Sequence, residues 1–340
     1  MKRLLSRPRP FGKRWMLGVT LIELMVTMLL GLLVTGAAIG IFISNKRAYA
    51  ATESLGRVQE GTRVAFELMA RDIREAAGNP CSRNIAMANV LNPSTNWWAS
   101  WGSGVTGYNG TTAMMGKSFG TSEKSRVSGT DAIELRGSAA SGISIETHNG
   151  PSASFKMSTK DHGLNDGDII LVCDFKQAAL TQVTNAQPGT NDTVVHNEGN
   201  TVIPGNKEKC LNAVPVSPCT AGNAYNYGKN SVVVKLKATR WYVGVCQGGR
   251  QCLFQSGITN NVGAIATVDN EIIDGVQDMD LAYLVQDGTS YVLAAPSTNW
   301  AKVAAVRVTI QIEDKDKVGT AGEKLTRTLS HIVTLRNRVE

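Results

Sequence analysis

GVTLIELMVTMLLGLLVTGAAIGIFI, residues 18–43, decides how the rest of the chain must be organised. Residues 19–43 are almost wholly apolar. At roughly 1.5 Å per residue, a helix of that length exceeds a hydrocarbon layer of about 30 Å. The stretch therefore predicts a membrane-spanning helix. Only Glu23 carries a charge within it. An ionised carboxylate in hydrocarbon costs on the order of 3 kcal/mol, so Glu23 either snorkels to the headgroups or meets a partner. A cleaved secretory signal has a shorter apolar core followed by its small-residue cut, whereas here Gly18 precedes the apolar run.

Upstream of this stretch the chain is basic. The 35 Lys and Arg exceed the 28 Asp and Glu, giving a formal charge of +7. Lys2, Arg3, Arg7, Arg9, Lys13 and Arg14 all precede Val19, with no acid among them, which leaves 29 basic against 28 acidic residues beyond them. A nucleic-acid reader concentrates Lys and Arg on one face. No dense basic block comes after Val19, so nucleic-acid binding loses its main support.

Downstream, Leu55, Val58, Thr62, Ala65, Phe66, Met69 and Ile73 recur at three- and four-residue steps. That spacing predicts that the helix continues with one apolar face. Arg57, Glu60, Arg63, Glu67, Arg71, Asp72, Arg74 and Glu75 populate the remainder, as expected of a helix lying against the subunit's own sheet. Gly78-Asn79-Pro80 supplies a stop.

Strand patterns dominate the chain beyond Pro80. Residues 81–129 read as loops rich in Gly, Ser, Thr and Asn, into which Trp97, Trp98 and Trp101 are set. This cluster either anchors a loop onto the core or forms a sugar-binding or contact surface. Segments 131–135, 168–175 and 231–236 read as strands. Residues 241–246 and 252–254 flank Gly248-Gly249 as a hairpin. The clearest half-buried strand has Ala304, Val306, Val308, Ile310 and Ile312 alternating with Arg307, Thr309, Gln311 and Glu313, and residues 325–336 are expected to pair with it.

The expected fold class is thus α+β. A long N-terminal helix, membrane-spanning in its first half and amphipathic in its second, packs on an antiparallel β-rich body. The expected divisions are a leader over 1–18, a helix over 19–78 with its membrane span at 19–43, and a body over 79–340.

Cys81, Cys173, Cys210, Cys219, Cys246 and Cys252 all lie beyond the apolar segment, and none forms a CxxC pair. This favours disulfides outside the cytosol. The connectivity stays open, although the hairpin favours Cys246 with Cys252. No metal or cofactor is expected, because zinc asks for paired ligands at short spacing and His148, His162, His196 and His331 are scattered singly. GTTAMMGKS, residues 110–118, is similar to a phosphate loop but has one residue too many between its glycines, and no apolar strand precedes it. Asn165-Asp166-Gly167-Asp168 lacks the spacing and closing Glu of a calcium loop and reads as a turn feeding a strand.

Gly18-Val19-Thr20-Leu21-Ile22-Glu23-Leu24 closely resembles the type IV prepilin signature. The resemblance implies that a membrane prepilin peptidase cuts after Gly18 and methylates the new amino terminus at Val19. It also implies that Glu23, fifth in the mature chain, pairs with the terminal amine of a neighbouring subunit. The leader is longer than the shortest in that family, and Val19 stands where Phe is usual. GTDAIELRG, NDGDIILVCDF, RWYVGV, EIIDGVQDMDLAYLV and the closing TLRNR are similar, in that order, to the PilW-type minor pilins. That likeness implies a low-copy subunit, single-pass in the inner membrane with a periplasmic body and later near the pilus tip. It would prime assembly with other minor pilins, the major pilin and a large tip adhesin.

A J-type pseudopilin of type II secretion shares the signature and the helix-plus-sheets plan. A tip pilin that captures DNA or a host sugar is a further alternative. No nucleophile elbow, zinc helix or paired-carboxylate motif stands out, and enzymatic activity is not expected.

Overall fold

The computed structural model describes residues 18–78, 80–81, 85–93, 96–99, 101–138, 142–317 and 323–338. The expected leader lies, up to residue 17, outside them. The chain forms two units, Met1–Glu53 and Ser54–Glu340.

One helix, α1 (Leu21–Glu75), accounts for the N-terminal pattern. In the first unit its side chains are exposed through Tyr49. From Ser54 onward it carries a buried stripe that includes Val58, Thr62, Ala65, Phe66, Met69 and Ile73. Three side chains depart from the periodic reading. Leu55 is exposed, while Ser54 is buried and donates to the Asp314 carboxylate. Asp72, expected among the solvated charges, is also buried.

The helix ends three residues before the expected stop, whose Asn79 lies outside the described residues. Ala77 takes the left-handed conformation at φ +58°, and its N–H donates to the Arg136 carbonyl at 2.8 Å. Gly104 has to be glycine because of this corner, since a Cβ there would approach Ala77 Cα to 2.6 Å.

Sixteen strands follow among the described residues. The first four are β1 (Ala86–Asn89), β2 (Val105–Tyr108), β3 (Ala132–Ser138) and β4 (Ile143–Asn149). Next come β5 (Ser154–Met157), β6 (Ile169–Cys173), β7 (Gln177–Gln182), β8 (Asn185–Ala186) and β9 (Thr193–Val195). Then follow β10 (Val232–Val245), β11 (Gln251–Asn261) and β12 (Ala264–Asp274). The last are β13 (Val276–Val285), β14 (Val292–Leu293), β15 (Val303–Glu313) and β16 (Thr326–Thr334).

The first twelve strands form one sheet and the last four another, ordered β14-β13-β15-β16. Between these strands the ladders are antiparallel except for β1 with β7. The body is therefore β-rich and the protein α+β, as expected. Two local expectations are corrected. Residues 81–129 contain the short strands β1 and β2 rather than loops alone, and segments 231–236 and 241–246 are one strand, β10. That strand is the hub of the larger sheet. Its first half lies between β6 and β4, and its second half between β3 and β11.

The largest core joins the second half of α1 to both sheets. Phe66, Met69 and Ile73 meet Trp241 and Val243 of β10, Met279 and Leu281 of β13, and Val308 and Ile310 of β15. Each such side chain stabilises the fold by about 1.5–3 kcal/mol when fully buried. A second core lies around Phe155, Met157, Ile170 and Tyr227, and a third holds the three tryptophans against β6, β7 and β10.

Candidate functional site

The start of α1 is built by Thr20. Its Oγ1 accepts the Glu23 N–H at 3.2 Å, and its carbonyl accepts the Leu24 N–H at 3.0 Å. Thr20-Leu21-Ile22-Glu23 has the spacing of a helix-capping box, a local signal absent from the periodicity argument. The capping bond uses the backbone of Glu23, so the carboxylate remains available for another role.

Beyond this cap, the helix meets the requirements of an apolar solvent. Its most apolar window has a mean hydropathy of 2.4 and is wholly exposed within the protein. Thr27 Oγ1 donates to the Glu23 and Leu24 carbonyls, both at 2.9 Å, and Thr35 Oγ1 to the Gly31 carbonyl at 2.7 Å. Each hydroxyl is thereby satisfied on its own helix, as hydrocarbon demands. Among the described residues there is thus a single N-terminal apolar helix, consistent with a single-pass membrane anchor.

Gly18 and Val19 precede the helix and are exposed. A Cβ at Gly18 would meet nothing within 4 Å, and the same holds at Gly31, Gly36 and Gly40. Gly in a helix interior is less favourable than Ala by roughly 0.5–1 kcal/mol. The last three are therefore unfavourable within the isolated helix, and packing among the described residues gives no reason for any of the four.

The second half of α1 is fixed to the sheet by a polar anchor. Asp72 Oδ2 accepts Trp241 Nε1–H at 3.0 Å and Gln255 Nε2–H at 2.7 Å, and Lys237 Nζ stands 3.0 Å from Oδ1. The same lysine reaches Glu75 Oε2 at 2.6 Å. Lys237, through this hydrogen bond, holds the Glu75 carboxyl below its ordinary range, against the opposing effect of partial burial. Sequence reading placed Asp72 at the surface because it lies one position before Ile73 on the edge of the apolar stripe.

The remaining sites singled out in the sequence have structural partners. Trp97, Trp98 and Trp101 are buried. Trp97 lies under the Arg240 guanidinium, 4.8 Å from its ring centre. Their faces are not open to a sugar. Lys117, in the segment similar to a phosphate loop, is paired with Asp269 at 2.6 Å. Asp168 Oδ2 accepts the Asn165 N–H at 2.9 Å, closing the turn into β6.

The six cysteines pair as Cys81–Cys173, Cys210–Cys219 and Cys246–Cys252. Glu271 lies within 4.8 Å of the last pair, but disulfide sulfurs are not thiolates and do not serve zinc. The cysteines are expected to be fully oxidised in the native protein. Thiol labelling without reductant checks this, and six reactive thiols would overturn it. His148 and His196, far apart in the sequence, come within 3.1 Å of each other in the second core.

Set against known proteins, the chain matches no protein-family model and no curated protein.

Proposed function

We propose that this chain is a prepilin-type subunit of a type IV pilus, cut after Gly18 and held in the inner membrane by residues 19–43 before it enters the filament. The start of the chain carries this reading: an exposed apolar helix is introduced by a glycine that folding does not need, and one carboxylate stands just inside it. A helix that leaves lipid with its apolar surface exposed needs other helices around it. Gly31, Gly36 and Gly40 offer close backbone approach for such neighbours.

The order of the body motifs extends the reading to a PilW-type minor pilin, which primes assembly near the tip with other minor pilins, the major pilin and a large tip adhesin. Burial of the tryptophans removes the observation that motivated sugar capture. The near-neutral charge after Val19 disfavours DNA capture. The subunit is structural rather than catalytic.

Glu23 gives the direct test. If it only snorkels, Glu23→Gln is nearly silent, because a neutral amide is easier to hold in lipid than a carboxylate. If it pairs with a neighbour's terminal amine, removing its charge strands a buried ammonium. We expect Glu23→Gln to be cleaved and inserted normally, since the Thr20 cap uses the backbone, yet to give fewer pili in a strain lacking the native copy. Electron microscopy of that strain, complemented with each form, decides the matter. Wild-type pilus numbers with Glu23→Gln would exclude pairing. Secretion defects with normal piliation in the deletion strain would favour the J-type pseudopilin instead.

A further inference from the structure

The second core contains two imidazoles that the filament reading does not use. A register shift between Ile145 and Thr147 of β4 turns His148 inward. There its ring stacks on Phe155, centroids 4.4 Å apart, and its Nε2 stands 3.1 Å from Nε2 of His196, just after β9. Phe155 also contacts the His196 ring at 4.6 Å. The Tyr227 N–H donates to His148 Nδ1 at 3.2 Å. Both histidines are buried, His196 completely, and His196 Nδ1 has no hydrogen-bond partner.

The hydrogen-bond network assigns the protons. His148 Nδ1 accepts, so its hydrogen is on Nε2 and is donated to His196 Nε2. The hydrogen of His196 is then on Nδ1. Every basic nitrogen of the pair is already an acceptor. A further proton on His148 Nδ1 opposes the Tyr227 N–H, and one on His196 Nε2 sets two N–H groups against each other. Neither position takes up a proton without breaking a hydrogen bond in a buried site.

We propose that His148 and His196 form an acid-labile latch, which holds β4, β5, β9 and the turn at Tyr227 together at neutral pH and releases them on acidification. The surrounding charges do not offset this. On β4, Glu146 pairs outward with Lys229 at 2.9 Å, and on β5 Lys156 lies 3.9 Å from Asp192 just before β9. Tyr225 donates to Asp174, and the Tyr227 hydroxyl accepts from Gln177 Nε2 at 3.2 Å. Among the described residues no carboxylate lies within ion-pair distance of either ring.

Burial alone holds His148 down at about 4, and burial together with the neighbouring His148 holds His196 well below its ordinary value. A depressed histidine supports the closed form fully above its free value of about 6.5. The support is lost as pH falls from there toward the folded values. Each histidine that charges only on opening raises the open population by up to about tenfold per pH unit. Two carboxyls at β13 respond in the opposite sense. Burial raises Asp131, which accepts the Leu281 N–H of β13, and Asp278 of β13 itself, so protonation favours their folded state.

Hydrogen exchange of the full chain in detergent, at about pH 7.5 and about pH 5, tests the latch. After correction for intrinsic exchange, opening of peptides covering 145–157, 193–197 and 225–229 is expected to rise at least about tenfold in acid. Peptides of β13 and β15 are not expected to change in parallel. In the double variant His148→Gln, His196→Gln the rise should disappear. Absence of a rise, an equal rise in β13 and β15, or its persistence in the double variant would overturn the proposal. Should the double variant not fold, the comparison within the wild-type protein decides alone.

Discussion

Gly18→Phe is expected to accumulate in the inner membrane at its full precursor mass, while the wild-type subunit begins at Val19 with a methylated amine. The variant isolates recognition from folding. Gly18 lies before the first turn of the helix and is exposed, and a side chain there meets no other part of the described chain. Adding bulk therefore leaves the Thr20 cap, the apolar helix and the β body unchanged. On the proposed prepilin reading, what changes is the fit of the segment to a peptidase that accepts a small residue before its cut. Because that requirement is steric, loss of processing should be nearly complete rather than graded. Intact-mass measurement of the extracted subunit reads the result directly. An uncut Met1 terminus on the wild-type protein, a cut after Ala50, or clean processing of Gly18→Phe would each remove the prepilin reading.

How far the sequence revealed the architecture depended on whether an element's environment was uniform along its length. Residues 306–312 alternate because β15 is flanked by β13 and β16 and turns one face to the core shared with α1, and β15 was the strand most plainly legible. The helix was legible from its three- and four-residue steps, and the hairpin at Gly248-Gly249 from its turn chemistry. β10 was read as two strands because its neighbours change midway, from β6 and β4 to β3 and β11, and its burial pattern changes with them. His148 escaped because a bulge reverses the inside–outside alternation two residues earlier, and no linear pattern brings it to His196. The processing and charge roles proposed for Gly18, Val19 and Glu23 rest on local sequence alone and draw on no tertiary contact. Asp72 marks the boundary between these cases, a charge on the rim of an apolar stripe whose burial depends on partners 165 and more positions away.

Asp72→Ala is accordingly expected to be among the most damaging single substitutions in the body. Removing the carboxylate leaves the buried Trp241 indole N–H and the Gln255 amide without their acceptor, and it takes from Lys237 one of its two acids. Deleting one partner of a buried charge pair costs about 3–5 kcal/mol. Lys237 keeps about a third of its side-chain exposure and retains Glu75, which places the expected loss toward the lower end of that range. Asp72→Asn keeps the size and one acceptor oxygen, so about 1–3 kcal/mol is expected for it. Glu67→Ala provides the contrast. It breaks an ion pair of the same helix, Arg63–Glu67 at 2.9 Å, whose side chains are 80% and 64% exposed, and it should leave the unfolding midpoint nearly unchanged. Denaturant unfolding of the three variants and the wild-type chain in the same detergent separates these effects. If Asp72→Ala unfolds at the wild-type midpoint, the polar anchor does not hold α1 to β10 and β11. Apolar packing of Phe66, Met69 and Ile73 then carries that contact alone.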